Sequence, residues 1–134
     1  MIPRVELIPL VTHNDERGYF REILKSSQLP KFGQWSMSLM THGTIKAFHI
    51  HQKQTDYFYV VSGIVKVVLV DQRQTIGNEE AEYLLGDYQK PQVLVIPPGV
   101  AHGLKVLQGP AVLMYVTSEP YNVEDEGRIP YDAL

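Results

Sequence analysis

Cysteine is absent from the 134 residues. That excludes a disulfide framework and any thiolate nucleophile or ligand, and it fits a protein of the reducing cytoplasm. Charge of one sign is also scarce. The formal net charge is -3 and the pI about 5.9, so nothing points to nucleic acid or to an anionic membrane. No apolar run approaches the ~20 residues that a membrane span requires. The first eleven residues are interrupted by Pro3, Glu6 and Pro9 and lack the unbroken apolar core of a signal peptide. No stretch carries a convincing helical periodicity, and neither internal repeats nor low-complexity tracts occur. What is left is a chain of single-domain length, 1–134, whose 44% hydrophobic content is enough for a core.

The patterning that is present belongs to strands. Residues 3–11 alternate loosely and read as an edge strand, since prolines remove ladder donors. Asn14, Asp15 and Gly18 mark a turn before a second alternating run, Gly18–Leu24. Lys25–Gly33 reads as a loop with one helical turn. Gln34–Met40 alternates cleanly, with Trp35, Met37 and Leu39 on one face and Gln34, Ser36, Ser38 and Met40 on the other. Ile45–Ile50 and Asp56–Ser62 are predicted strands. Gly63 then suggests a tight hairpin into the valine-rich Ile64–Asp71. After a polar loop, Gln72–Asn78, weaker strands follow at Glu79–Leu85 and Val93–Ile96. Gly103–Leu107 and Ala111–Thr117 are expected as two strands around a Gln108-Gly109-Pro110 turn, and the polar tail is expected to lie across the surface. Short, regularly spaced strands with turn residues between them predict an all-β sandwich or barrel.

Within this frame the stretch Gly43–Gly63 stands apart. His49 and His51 are two residues apart, so an extended strand points both to one face. Polar rings on an inward face are costly without partners. Asp56 follows five residues after His51, and a third histidine, His102, follows the turn Pro97-Pro98-Gly99.

The spacing Gly43, His49, His51, Asp56, Gly63, together with Pro97-Pro98-Gly99-Val100-Ala101-His102, resembles the two motifs of the cupins. The resemblance implies a jelly-roll barrel. Within the cupins the chain resembles the dTDP-4-dehydrorhamnose 3,5-epimerase family over about residues 11–132. The matching pieces are Asp15 through Glu22, Gly43 through His49, Val70 through Arg73, Ile96 through Gly103, Tyr115, Tyr121-Asn122 and Glu126-Gly127. By position the resemblance implies that His49 is the general base and Tyr115 the general acid, with His102 and His51 around the reacting carbons. Arg17, Phe20 and Glu22 fall in the stretch that holds the nucleotide, and Gln34 and Lys46 are further candidate substrate contacts. It also implies a nucleotide-sugar substrate in the dTDP-rhamnose pathway, no cofactor, and a homodimer in which a neighbour's N-terminal segment completes each site. The family's carboxylate partner for the base lies in a C-terminal extension, so this chain, ending at Leu134, is expected to lack it. Phe48-His49-Ile50-His51 also resembles the dTDP-4-keto-6-deoxyhexose 3,4-ketoisomerases.

Three chemistries stay open at the level of residues. The first is proton transfer beside a ketone, for which an imidazole has a suitable pKa and an enolate oxygen needs a positive or hydrogen-bonding neighbour. Strict alternation turns Lys46 away from His49 unless a bulge intervenes, which leaves His51 or His102 for that oxygen. The second is one divalent transition metal held by His49, His51, Asp56 and His102, a three-nitrogen, one-oxygen set. The third is a non-catalytic nucleotide-sugar-binding or structural barrel with its histidines hydrogen-bonded inside. Arg17 offers a guanidinium fork for phosphate, or simply pairs with Asp15 and Glu16.

Overall fold

A computed structural model describes residues 2–73 and 78–129. Its strands are β1 (Glu6–Pro9), β2 (His13–Asp15), β3 (Gly18–Phe20), β4 (Gln34–Met40), β5 (Ile45–His51), β6 (Asp56–Asp71), β7 (Glu80–Gly86), β8 (Gln92–Ile96), β9 (Val100–Thr117) and β10 (Glu126–Arg128). A single 3-10 turn, Ser26–Gln28, occupies the expected loop. The part of the expected loop Gln72–Asn78 that covers 74–77, and the tail beyond Ile129, lie outside the described residues.

Two long strands organise the molecule. β6 and β9 run antiparallel beside each other over nearly their whole length, from Asp56↔Thr117 to Asp71↔Val100. Each serves two layers. The first part of β6 and the last part of β9 form one layer with β1, β8 and β4; the other parts form the second with β7, β5 and β10. β2 and β3 form a separate exposed hairpin.

The expected hairpin at Gly63 and the expected turn at Gln108-Gly109-Pro110 are therefore bends inside continuous strands. The ladder skips register between Val60, Ser62, Ile64 and Val65, which is where both strands pass from one layer to the other. Gly63 takes φ +81°, and a Cβ there would lie 2.7 Å from the Gln108 carbonyl oxygen and 2.8 Å from Ala111. The sequence signal for a tight turn and that for a sharp bend are the same: a glycine between two β-rich runs.

The core lies between the layers. Val65, Val67 and Leu69 alternate inward along β6 and meet Leu85, Leu94, Ile96, Val106 and Leu113. On β4 the faces are assigned against hydropathy. Gln34, Ser36 and Ser38 point inward, while Trp35, Met37 and Leu39 are exposed. The fold is an all-β jelly roll, and the inward polar row of β4 shows that part of its interior is not packed core.

Candidate active site

That interior is a cavity of about 260 Å³, lined by Gln34, Ser38 and Met40 from β4, Lys46, His49 and His51 from β5, Asp56 and Phe58 from β6, and His102, Leu104, Leu113 and Tyr115 from β9. Glu126, Tyr121 and Asn122 close it from the C-terminal side. The two motif halves meet because β5 pairs with β9, with His49 directly opposite His102. The Gly99 N–H also donates to the His51 carbonyl at 2.8 Å, tying the Pro-Pro-Gly turn to the end of β5.

Between Lys46↔Leu104 and His49↔His102 three steps on β5 oppose two on β9. This extra residue is a bulge, and it resets the alternation so that Lys46 lines the same cavity as His49. Strict alternation would have turned it away; no sequence rule locates the bulge.

The three imidazoles form one stack. The His102 ring lies 6.0 Å from that of His49 and 5.8 Å from that of His51, at interplanar angles of 23° and 25°. Phe58 stands edge-on to both His102, at 5.5 Å, and Tyr115, at 5.9 Å. Apolar packing on this side explains the charge state of His102. Burial pushes its pKa down to about 3, helped by repulsion from His51 and His49.

His49 has a carboxylate partner after all. Its Nδ1 lies 3.2 Å from Glu126 Oε1, and Arg128 donates to the same oxygen at 3.2 Å. Part of the tail expected on the surface is a strand: β10 pairs with β5, bringing Glu126 opposite His51 and Arg128 opposite His49. The carboxylate expected to be missing is thus supplied within the chain. Burial lowers the pKa of His49, and the Glu126 hydrogen bond works against that. Burial opposes charge on Glu126, but the His49 bond and the Arg128 charge outweigh it and hold the carboxyl below its ordinary range. The family resemblance included Glu126-Gly127, but in a charged, proline-containing tail the pattern alone assigned Glu126 no partner.

Asp56 is buried and accepts a 2.6 Å hydrogen bond from Gln54 Nε2. Burial raises its pKa. Its Oδ2 lies 3.4 Å from His102 Nε2 and 4.0 Å from His51 Nε2. His51, Asp56 and His102 offer donor atoms within 4.8 Å of one another. His49 stands outside this group, so the expected four-residue metal set is reduced to three. Gln34 reaches the cavity but also accepts from the Tyr121 N–H at 2.9 Å, docking the tail.

The nucleotide-side residues are not brought to this cavity. Arg17 is 84% exposed, and its backbone N–H and guanidinium both donate to Asp15, at 2.7 and 2.9 Å. Phe20 is exposed beside His13, and Glu22 pairs with Lys25 at 3.4 Å. All three belong to the β2–β3 hairpin or the segment after it, away from the lining of their own chain's pocket.

Known proteins match this chain in sequence and in fold. A family profile described as dTDP-4-dehydrorhamnose 3,5-epimerase covers residues 1–133. The spore coat polysaccharide biosynthesis protein SpsL of Bacillus subtilis is 41% identical over 98% of this chain and 91% of its own length. The dTDP-4-dehydrorhamnose 3,5-epimerase of Mycobacterium tuberculosis is 31% identical over 92% of this chain, which spans 66% of that longer protein. Among solved structures, a dTDP sugar isomerase from Desulfovibrio desulfuricans superposes with a TM-score of 0.89 at 29% identity, covering 98% of this chain and 87% of that one. An epimerase from Legionella pneumophila in complex with dTDP-4-keto-L-rhamnose superposes with a TM-score of 0.88 at 27% identity, covering 98% and 75%. With the profile matching residues 1–133 and the fold superposing on solved members over almost the entire chain, the protein belongs to the dTDP-4-dehydrorhamnose 3,5-epimerase family.

Proposed function

We propose that the chain epimerises a dTDP-linked 4-keto-6-deoxy sugar by proton transfer next to the ketone. The observation that carries this reading is the His49–Glu126 pair at 3.2 Å opening onto the same cavity as Tyr115. A carboxylate on Nδ1 fixes the ring's orientation and leaves Nε2 to take a proton from carbon. Tyr115 returns a proton from another wall of the cavity. Lys46 and the neutral face of His102 supply partners for the enolate oxygen that forms in between. The sugar carried by the Legionella relative is of this class.

The test is solvent exchange. In deuterated water, wild-type protein should place deuterium at C3 or C5 of a dTDP-4-keto-6-deoxy sugar, read by NMR. His49→Asn should slow that by roughly 100-fold or more, the range a positioned acid or base contributes. Undiminished exchange in the variant would remove His49 from the role of base.

We also propose that the protein works as a homodimer. Trp35, Met37 and Leu39 form an exposed apolar row on β4, which among the described residues pairs only with β9. A second copy would cover that row and bring a foreign β2–β3 hairpin, with Arg17 and Phe20, toward each cavity.

A further inference from the structure

We propose a second ligand site on the outside of the barrel, shaped for a small organic phosphate. Phe58 and Tyr59 are neighbours on β6 and point to opposite faces: Phe58 lines the barrel cavity, and Tyr59 lines a separate outer cavity of about 240 Å³. Tyr19 and Arg21 border this outer cavity on one side. The connection from β7 to β8, which carries Asp87, Tyr88 and Lys90, borders it on the other. The two cavities share no lining residue, and Arg17 and Phe20 line neither.

The held guanidinium of Arg21 carries the proposal. Its Nε donates to Thr12 Oγ1 at 2.7 Å and its Nη1 to the Tyr59 hydroxyl at 2.9 Å. It also lies over the Tyr19 ring, 4.3 Å from the centroid. All three partners are neutral. Among the described residues no carboxylate pairs with Arg21 or Lys90, and nothing accepts from Arg21 Nη2. The one carboxylate in the lining, Asp87, accepts the Gly63 N–H at 2.9 Å. A half-buried cation fixed by neutral groups, with donors left over, is pre-organised for an anion. Two cations beside a single engaged acid suit a dianion, and a guanidinium fork matches phosphate oxygens.

Tyr88 is an independent observation. The Gln89 N–H donates to the Gly86 carbonyl at 3.2 Å, closing a four-residue turn in which Tyr88 stands third. Its φ is +67°, where glycine or asparagine is the usual occupant. The ring is 91% exposed, so no packing within the chain offsets that strain. At the lip of the cavity, it can lie against the body of a ligand whose phosphate reaches Arg21 and Lys90. The cavity is smaller than the roughly 300–1,000 Å³ of sites for drug-sized ligands, which favours a monophosphate over a nucleotide-linked sugar. A sugar phosphate and a nucleoside monophosphate both meet that description.

The experiment is calorimetric titration of the full chain with glucose 1-phosphate, with AMP and with inorganic phosphate. One of the two organic phosphates should bind one per chain, more tightly than inorganic phosphate, and which one does identifies the source. Lys90→Ala should weaken that binding about 10-fold or more, the scale of one charge-assisted hydrogen bond. Tyr88→Gly should weaken it roughly 5-fold or more, the scale of one stacked ring. The same Tyr88→Gly variant should melt no lower than wild type, because glycine relieves the left-handed backbone. A purely structural tyrosine would give the reverse pair of results and overturn the proposal. So would the absence of saturable binding by either organic phosphate, or binding that both variants leave unchanged. Inorganic phosphate binding as tightly as the organic ones would overturn the role given to Tyr88. Affinity for dTDP should be unchanged in both variants; a matching loss would show that the outer cavity is not separate from the barrel site. Proton exchange into a keto sugar is not a readout here, so this result stands or falls apart from the epimerase reading.

Discussion

At the scale of single residues, the His49–Glu126 pair decides most of what the cavity can do. An imidazole alone is free to rotate and to choose either tautomer. A carboxylate 3.2 Å from Nδ1 fixes both choices, and Arg128 in turn holds that carboxylate. On the proposed reading Glu126 acts through His49, which makes it a positioning residue. Glu126→Gln keeps the side chain's shape but can present a donor to Nδ1 instead of an acceptor. Its expected signature is a fall in kcat of roughly 10- to 100-fold, the scale of a misaligned catalytic group, with KM nearly unchanged and Glu126→Asp partly restoring the rate. Steady-state kinetics with a melting curve check this; a variant that loses only melting temperature would show a structural role instead. The histidines themselves were legible from spacing: two residues on one strand and a third beside a Pro-Pro-Gly turn. Glu126 was not, because nothing in Glu126-Gly127-Arg128 distinguishes a strand that pairs with β5 from a solvated charged tail.

At the scale of elements, sequence alternation located the one-layer strands β4, β5 and β8, although the bulge in β5 defeated it at Lys46. Gln34–Met40 forms as expected, and β5 and β8 differ from expectation by a residue at one end. It failed at β6 and β9, which bend without ending. Whether a glycine between β-rich runs makes a hairpin or a bend depends on which strand lies alongside, and that is a long-range fact. Here β9 accompanies β6 on both sides of Gly63. The bend is pinned by Asp87, whose carboxylate accepts from the Gly63 N–H at 2.9 Å and whose own N–H donates to the Gly63 carbonyl at 2.8 Å. Two glycines with the same φ of +81° separate the causes. At Gly43 an added Cβ meets nothing within 4 Å, whereas at Gly63 it meets backbone of β9. Gly43→Ala should therefore cost only the left-handed backbone penalty, about 1–2 kcal/mol. Gly63→Ala adds overpacking of about 1–3 kcal/mol. Urea denaturation midpoints compare the two, and equal losses would show that Gly63 is not squeezed by its neighbour strand.

At the scale of the whole molecule, the most informative surface is β4. A seven-residue strand pairing with β9 alone among the described residues, with Trp35, Met37 and Leu39 at 65%, 67% and 70% exposure, presents both open ladder groups and a contiguous apolar row. Soluble proteins cover such an edge or suffer aggregation. The opposite face of the same strand carries Gln34, Ser38 and Met40 into the cavity, so whatever covers the outside braces the wall of the pocket. Meanwhile Arg17 and Phe20 stand on a hairpin that does not reach the cavity of their own chain. The proposed self-association would account for both facts together, and it makes a linked prediction. Met37→Glu places a charge in the middle of the apolar row without touching the cavity. It should convert a dimer to a monomer by light scattering and weaken dTDP binding, measured by calorimetry, even though the His49–Glu126 pair is intact. Arg17→Ala should weaken dTDP binding while leaving the dimer in place. A wild-type protein that is already monomeric at micromolar concentration would refute the interface. A Met37→Glu monomer that binds dTDP as tightly as the dimer would instead show that each cavity is complete within one chain.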